Sequence, residues 1–241
     1  MDALAAAKAS AKAVSMVGGG FMLDGATYKA GAGLGFSGMD FYASGRGGVL
    51  GEVDADVVAA AFTFFEPGYV RASWEQGGTV MSRAEAAAAW SSACADWADA
   101  KVPDDLDCAR LGELLDRVVA AGPPACAAVF AGWRALPVPA DPKQHAVHQM
   151  NALRELRNGL HGAATTVRGV SPLEALSFNS PAMVPIFGWP GPVATDAVAD
   201  RWKAAEADTN AMFAHCLEPL SDAERDELVE HTGALLAGTM G

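Results

Sequence analysis

Residues 145–164 read HAVHQMNALRELRNGLHGAA, and this stretch decides the fold class. At 100° per residue, Leu153, Leu156 and Leu160 fall on one stripe of a helix. That spacing is typical of an amphipathic α-helix whose apolar stripe faces a protein core. We therefore expect a long helix that begins near Pro142, anchored by its leucines and carrying polar side chains on both flanks.

Further helix starts are marked on either side of this segment. In a capping box, a serine accepts a hydrogen bond from the amide three residues later, and the glutamate there accepts one from the serine amide. The pattern occurs at three pairs: Ser82 with Glu85, Ser171 with Glu174, and Ser221 with Glu224. Other helices are expected after Asp54, Asp104 or Asp105, Pro142 and Thr195. Alternating strand patterns are absent, so we predict an all-α, compact multi-helix single domain of seven to nine helices.

Two segments interrupt the helical pattern. Residues 17–51 are rich in glycine and are expected to form a loop region. Gly33–Gly38 matches G-x-G-x-x-G, but it lacks the strand before and the helix after that a dinucleotide site requires. Residues 181–192 carry four prolines and are expected to be a packed hinge. We therefore divide the chain into a main helical domain, 1–180, and a hinge with a C-terminal helical pair, 181–241, on the same core.

Composition limits the compartment and the partners. The formal net charge is −12 and no basic run occurs, which argues against nucleic acid as a partner. The four cysteines are widely spaced without a C-x-x-C pair, which predicts buried, reduced thiols. Lys8 and Lys12 interrupt the apolar N-terminus, unlike a signal peptide, and no apolar run approaches the roughly 18 residues of a membrane span. We expect a cytoplasmic protein without a membrane partner. A homo-oligomeric state is compatible with the same composition.

One flank of the 145–164 helix carries the residues best suited to bind a ligand. Arg154, Arg157 and His161 lie together there, so two guanidinium groups and an imidazole could hold one anionic or polar ligand. The alternative is structural: both arginines pair with acidic residues, and His161 is a hydrogen-bonded histidine of the fold. Binding of a haem cofactor through His161 is a further alternative.

The other flank carries a second group of polar residues. His145 and His148 are one turn apart, and Glu155 is a further seven residues on, roughly 10 Å along the axis. Zinc would need a third protein ligand from elsewhere in the chain. We therefore interpret this flank as a solvated face and predict no metal site.

Three ordered blocks carry a resemblance to a known family. Phe41–Arg46 followed by Val49–Gly51 is similar to G-Y-F-A-S-R-A-A-P-L-G, with one glycine inserted and valine in place of proline. Asp56–Pro67 resembles V-V-A-A-T-F-Y-x-F-x-P, and Leu153–His161 resembles L-R-E-x-R-G-D-G-H. These patterns are those of an actinobacterial family described as helix-turn-helix proteins. The resemblance implies no particular reaction.

The resemblance also implies a winged helix-turn-helix, and here the chain departs from it. Relatives follow their G-W element with an L-T-x-x-G wing and then an E-x-x-T-D helix. In this chain Gly188-Trp189 is followed almost directly by Arg201, and the wing has no counterpart. The E-x-x-T-D helix corresponds to Glu206–Asn210. We therefore expect the winged helix to be degenerate.

These observations favour a small-molecule-binding helical protein, in the form of a degenerate ligand-responsive regulator that no longer binds DNA. The expected ligand-binding residues are Tyr42, Arg46, Arg154, Arg157 and His161. The Gly-rich segment 25–51 would cover the pocket. The first alternative is an enzyme of actinobacterial secondary metabolism, cofactor-independent or haem-dependent, with His161 as the catalytic residue beside the two arginines. A DNA-binding transcriptional regulator is the second alternative.

Overall fold

A computed structural model describes residues 1–240 of the chain. Within those residues there are twelve α-helices, three short 3-10 helices and no β-strand. The all-α prediction is confirmed, and the expected seven to nine helices were too few. The absence of strands from the described residues also leaves no β-hairpin that could form a wing.

The helices follow one another through short connections. Their bounds are α1 Ala3–Gly18, α2 Gly25–Gly33, α3 Met39–Gly47, α4 Ala55–Ala61, α5 Pro67–Gly77, α6 Arg83–Lys101, α7 Cys108–Ala121, α8 Ala128–Arg134, α9 Pro142–Val167, α10 Pro172–Asn179, α11 Ala199–Leu217 and α12 Asp222–Met240.

The long helix expected from residues 145–164 is α9, and it is the centre of the fold. It starts with Pro142 in the first turn, where a missing N–H costs nothing, and Asp141 caps it by accepting from two backbone amides. Its leucine stripe is buried, as expected. Helices α1, α6, α7, α8 and α11 all pack against it. Most of α9 between Ala146 and Thr165 is therefore buried by its neighbours.

The helix starts read from serine and glutamate are confirmed. The side chains of Ser82, Ser171 and Ser221 accept from the amide three residues on, and each glutamate accepts from the serine amide. α4 begins after Asp54 as expected, but α7 begins after Asp107 and not after Asp104 or Asp105. α11 begins at Ala199, three residues later than a start directly after Thr195. The paired serine and glutamate patterns therefore marked all three helix starts, whereas single residues marked the start of α4 but not those of α7 and α11.

The Gly-rich region 17–51 is not a loop, which corrects the prediction. It forms α2, α3 and two 3-10 turns. The reason is that its glycines allow helices to approach closely. A Cβ on Gly45 would lie 2.7 Å from Trp90, one on Gly31 would lie 2.5 Å from Phe41, and one on Gly48 would lie 2.3 Å from a backbone carbonyl oxygen of α6. At these three positions the missing side chain serves packing between elements.

The proline-rich segment 181–192 packs against the turn between α4 and α5. Phe187 stacks on Phe65 with ring centroids 3.9 Å apart, and the Trp189 indole donates to the Phe64 carbonyl at 2.9 Å. Helix α11 then packs on α1, α7 and α9, and α12 packs on α1 and α7. Both parts of the chain contribute residues to one hydrophobic core. The boundary between them at residue 180 stays a prediction.

The cysteines and the helix lengths bear on two further expectations. Cys94, Cys108 and Cys216 are buried free thiols, but Cys126 is exposed, so the prediction that all four are buried is wrong. Cys126 has a left-handed backbone conformation with φ 61°, in the short connection before α8.

Among the described residues, no helix combines the length and apolar character needed to cross a bilayer.

Candidate functional site

A cavity of about 660 Å³ lies among α1, α9, α10 and α11. Three of the five residues expected to bind a ligand line it: Arg154, Arg157 and His161. Its other polar lining residues are Lys12, Ser15, Asn158, Asn179, Ser180, Glu206 and Thr209, and its larger apolar ones are Met16, Phe64, Leu176, Phe187 and Trp202. The cavity therefore combines apolar walls with a few convergent polar groups, which is the usual character of a small-molecule site.

Arg157 is held by two side chains of α11. Its Nη1 donates to Asn210 Oδ1 at 3.0 Å, and its Nη2 donates to Glu206 Oε1 at 3.0 Å. The guanidinium carbon also lies 5.1 Å from the ring centre of Phe213. Burial lowers the Arg157 pKa, and the carboxylate of Glu206 opposes that effect. Arg157 therefore joins α9 to α11 and holds Glu206 at the cavity wall.

His161 is held in one tautomer by the same helix. Its Nδ1 lies 3.0 Å from Thr209 Oγ1 and 3.5 Å from Glu206 Oε2. The Thr209 hydroxyl lies 2.7 Å from the Ala205 carbonyl oxygen, which can only accept. All these contacts are satisfied together when Thr209 donates to that carbonyl and Nδ1 carries the imidazole proton.

The remaining ring nitrogen of His161 is consequently an acceptor. Burial lowers the pKa of His161, with Glu206 opposing and Arg157 reinforcing the effect, which favours the neutral ring. Within residues 1–240, Nε2 makes no hydrogen bond to the protein. His161 thus presents an open lone pair to whatever enters the cavity, with a carboxylate behind its other nitrogen.

Arg154 and Lys12 bring positive charge to the cavity. Arg154 Nη1 donates to Glu155 Oε1 at 2.7 Å, and the residue lies against Gly18 and Gly19 at the end of α1. A Cβ on Gly18 would be 2.8 Å from Arg154 Cβ, so the glycines make room for this side chain. Lys12 is exposed and has no ion pair or hydrogen bond in the described part of the chain. A locally basic cavity therefore exists in a protein of net charge −12.

Tyr42 and Arg46 lie in the hydrophobic core and not at the cavity. Arg46 is 2% exposed and grips Glu155 with two hydrogen bonds, of 2.9 Å and 2.7 Å. Tyr42 is 3% exposed and packs edge-on to Phe62. None of the described residues in 25–51 lines the cavity, so the expectation that this segment covers a pocket is not met. Arg46 reaches the site only through Glu155, which it shares with Arg154.

The histidines on the other flank of α9 are structural. His148 is 2% exposed and stacks on Trp133 with ring centroids 4.9 Å apart, which contradicts the interpretation of this flank as a solvated face. Burial lowers its pKa to about 4. The Nε2 of His145 lies 2.8 Å from Asp116 Oδ1. No cluster of three or more histidine, cysteine, aspartate or glutamate residues suited to a metal occurs in the described part of the chain.

A second cavity, of about 560 Å³, lies near the middle of α9. Thr63 and Cys126 line it, and they are the two non-glycine residues with positive φ in the described chain. They sit against glycines of α9: a Cβ on Gly162 would meet Thr63 at 2.7 Å, and one on Gly159 would meet the Cys126 carbonyl oxygen at 2.4 Å. Asn158 lines both cavities.

Sequence reasoning missed several residues of the main cavity, above all Glu206 and Thr209. A signal was present, because the E-x-x-T-N spacing places Glu206, Thr209 and Asn210 on one face of a helix. That face now proves to be the one that contacts Arg157 and His161. Two motif blocks about 50 residues apart therefore form a single hydrogen-bonded cluster.

Comparison with known proteins gives one match. A family model described as a helix-turn-helix family matches residues 7–189, which is more than half of the chain. No curated protein and no solved structure is significantly similar to the chain.

Proposed function

The chain belongs to this helix-turn-helix family, and on that premise we propose that it is a small-molecule-binding protein whose ligand occupies the cavity among α1, α9, α10 and α11. In this proposal it acts as a ligand-responsive regulator whose winged helix is degenerate. The family name describes an arrangement of helices and does not specify a ligand, so the proposal depends on the site.

One observation carries the proposal: the polar network at the cavity is closed toward the protein and open toward the cavity. Arg157 is paired with Glu206 and Asn210, and His161 Nδ1 is paired with Thr209. The groups left open include His161 Nε2, the Lys12 ammonium and the N–H groups of Arg154 that do not contact Glu155, and all three residues line the cavity. A network serving only to join α9 and α11 has no need of open groups facing a space large enough for an organic molecule.

The experiment is a titration with anilinonaphthalene sulfonate, an apolar aromatic anion whose fluorescence rises in a water-poor site. Ala11 is half-buried and lines the cavity, so Ala11→Trp fills part of the space. Ala9 is exposed on the same helix, so Ala9→Trp is the matched control. We expect saturable binding by the natural protein and by Ala9→Trp, and at least tenfold weaker binding by Ala11→Trp. Equal binding by all three proteins would contradict the proposal.

A DNA-binding regulator is the second candidate, and the family match is the observation that favours it. Charge opposes it. One pair of consecutive helices that meet through a short turn is α4 and α5, and the second of these carries a single basic side chain, Arg71. Arg71 is already paired with Asp56 of α4. A helix of this kind offers little to neutralise phosphates, which supply most of the affinity of DNA-binding proteins.

A further inference from the structure

The positive end of the main cavity has unbalanced charge. Glu155 is one carboxylate shared by two guanidinium groups, those of Arg46 and Arg154. These three buried or half-buried groups therefore carry one net positive charge. Lys12 adds a second, because it has no partner in the described part of the chain. An anionic group of a ligand is stabilised at this end, and a carboxylate matches the planar donors of arginine.

The His161 end of the cavity needs a hydrogen-bond donor. Its open Nε2 is an acceptor because Thr209 and Glu206 hold the proton on Nδ1. Arg157 already donates to Asn210 and Glu206 of α11, and a guanidinium group cannot accept a hydrogen bond, so His161 Nε2 is the acceptor that a ligand donor meets here. A ligand hydroxyl or N–H group therefore pairs with this end, whereas a second carboxylate would meet Glu206 and a lone pair.

Aromatic side chains stand beside the acceptor. The Phe64 ring centre is 5.7 Å from that of His161, and Trp202 meets the imidazole edge-on at 6.0 Å. Both aromatic residues line the cavity. Flat apolar walls of this kind favour an aromatic ring in the ligand, through offset or edge-to-face contacts.

The spacing of the two ends sets the length of the ligand. Arg154 and His161 are seven residues apart on α9, which is about 10 Å along the helix axis. A carboxylate and a donor at opposite ends of one aromatic ring with a short side chain span a comparable length. We infer, on the basis of the proposed function, that the cavity takes an aromatic hydroxy acid. Its carboxylate lies at Lys12 and Arg154, its ring lies beside Phe64 and Trp202, and its hydroxyl donates to His161 Nε2.

Three probes test the two ends separately by calorimetric titration. Para-hydroxycinnamate carries both polar groups, cinnamate lacks the hydroxyl, and para-hydroxycinnamamide lacks the negative charge. We expect cinnamate and the amide each to bind about tenfold more weakly than para-hydroxycinnamate, as the loss of one hydrogen bond or ion pair implies. Equal affinities for all three probes would overturn the inference.

Variants then assign each preference to a residue. His161→Leu should bind para-hydroxycinnamate and cinnamate equally while still preferring the acid to the amide. Lys12→Met should lose most of the preference for the acid while still preferring the hydroxyl. Lys8 is exposed on the same helix and does not line the cavity, so Lys8→Met is the control and should behave as the natural protein does. Preferences unchanged by His161→Leu and Lys12→Met would also overturn the inference.

The outcomes separate this inference from the function on which it rests. If anilinonaphthalene sulfonate binding is blocked by Ala11→Trp but the three cinnamate probes do not displace the dye, the cavity binds small molecules of another class and only the inference fails. If Ala11→Trp has no effect on dye binding, the proposed function itself fails. Displacement by para-hydroxycinnamate at the lowest concentration of the three supports both.

Discussion

His148 shows how a single residue can set the pH dependence of stability. It is buried, stacked on Trp133, and its pKa is lowered to about 4 because burial disfavours the charged ring. In the unfolded chain a histidine has a pKa of about 6.5. Between those two values the unfolded state binds more protons than the folded state, so stability is lost as the pH falls from about 6.5 toward 4.

We predict that His148 lowers the stability of the protein as the pH falls, and that a neutral aromatic residue at this position removes the effect. Between pH 7 and pH 5 this group should lower the free energy of unfolding by about 2 kcal/mol. His148→Phe keeps the aromatic contact with Trp133 and should flatten this part of the profile. Urea unfolding of both proteins at the two pH values measures the difference. The same pH dependence in both proteins would show that His148 is not the titrating group.

The cysteines give a second prediction at this scale. Burial raises the pKa of the Cys94 and Cys108 thiols, and it raises that of Cys216 to about 11, so these three react slowly in the folded protein. Cys126 is exposed. A disulfide-exchange reagent should therefore modify one thiol quickly under native conditions and four in denaturant. Cys126→Ser should abolish the fast phase, and a fast phase that survives this change would contradict the assigned exposure.

At the scale of helices, the sequence predicted the features that depend on residues close in the chain, and it missed those that depend on contacts with other helices. The capping boxes at Ser82, Ser171 and Ser221 were readable because every hydrogen bond in them lies within four residues. The leucine stripe of α9 was readable for a similar reason, namely a fixed period. Glycines such as Gly45 were read as loop residues because glycine disfavours helices in isolation. Their true role depends on Trp90 of another helix, which no local pattern reveals.

The packing role of these glycines can be tested with two alanine substitutions. Gly45→Ala places a Cβ 2.7 Å from the buried Trp90 and should destabilise the protein by about 1–3 kcal/mol through overpacking. Gly233 lies within α12, and a Cβ added there would have nothing within 4 Å, so Gly233→Ala should stabilise by about 0.5–1 kcal/mol through helix propensity. Chemical denaturation of both variants measures the two effects. Effects of the same sign would be inconsistent with a packing role for Gly45.

At the scale of the whole molecule, only half of the site could be predicted. Helical periodicity placed Arg154, Arg157 and His161 on one flank of α9, and all three line one cavity. The opposite wall comes from α11, about 50 residues later, and a period within one helix contains no information about which other helix it meets. Arg46 was assigned to the site because segment 25–51 was expected to be a loop that covers the pocket, yet Arg46 is held in the core by Glu155.

The charge of the whole molecule predicts weak interaction with DNA. The net charge is −12, and ion pairs already engage many of the arginines, including Arg71 and Arg168. Fluorescence anisotropy with random duplex DNA at physiological salt should detect no more than weak background binding. Submicromolar affinity that falls steeply with added salt would favour the second candidate function. Repeating the titration with para-hydroxycinnamate present tests whether ligand binding changes the result.

The sharing of Glu155 between two arginines has a consequence for how the molecule responds when the cavity is filled. Arg46 holds both oxygens of that carboxylate from the core side, whereas Arg154 holds one of them from the cavity side. An anion that draws Arg154 away leaves the core contact complete. Because Arg46 keeps both of its hydrogen bonds to Glu155, an anion bound at Arg154 should leave the packing of the core unchanged. Amide hydrogen exchange in α3 should therefore stay constant during ligand titration, while exchange near the end of α1 slows.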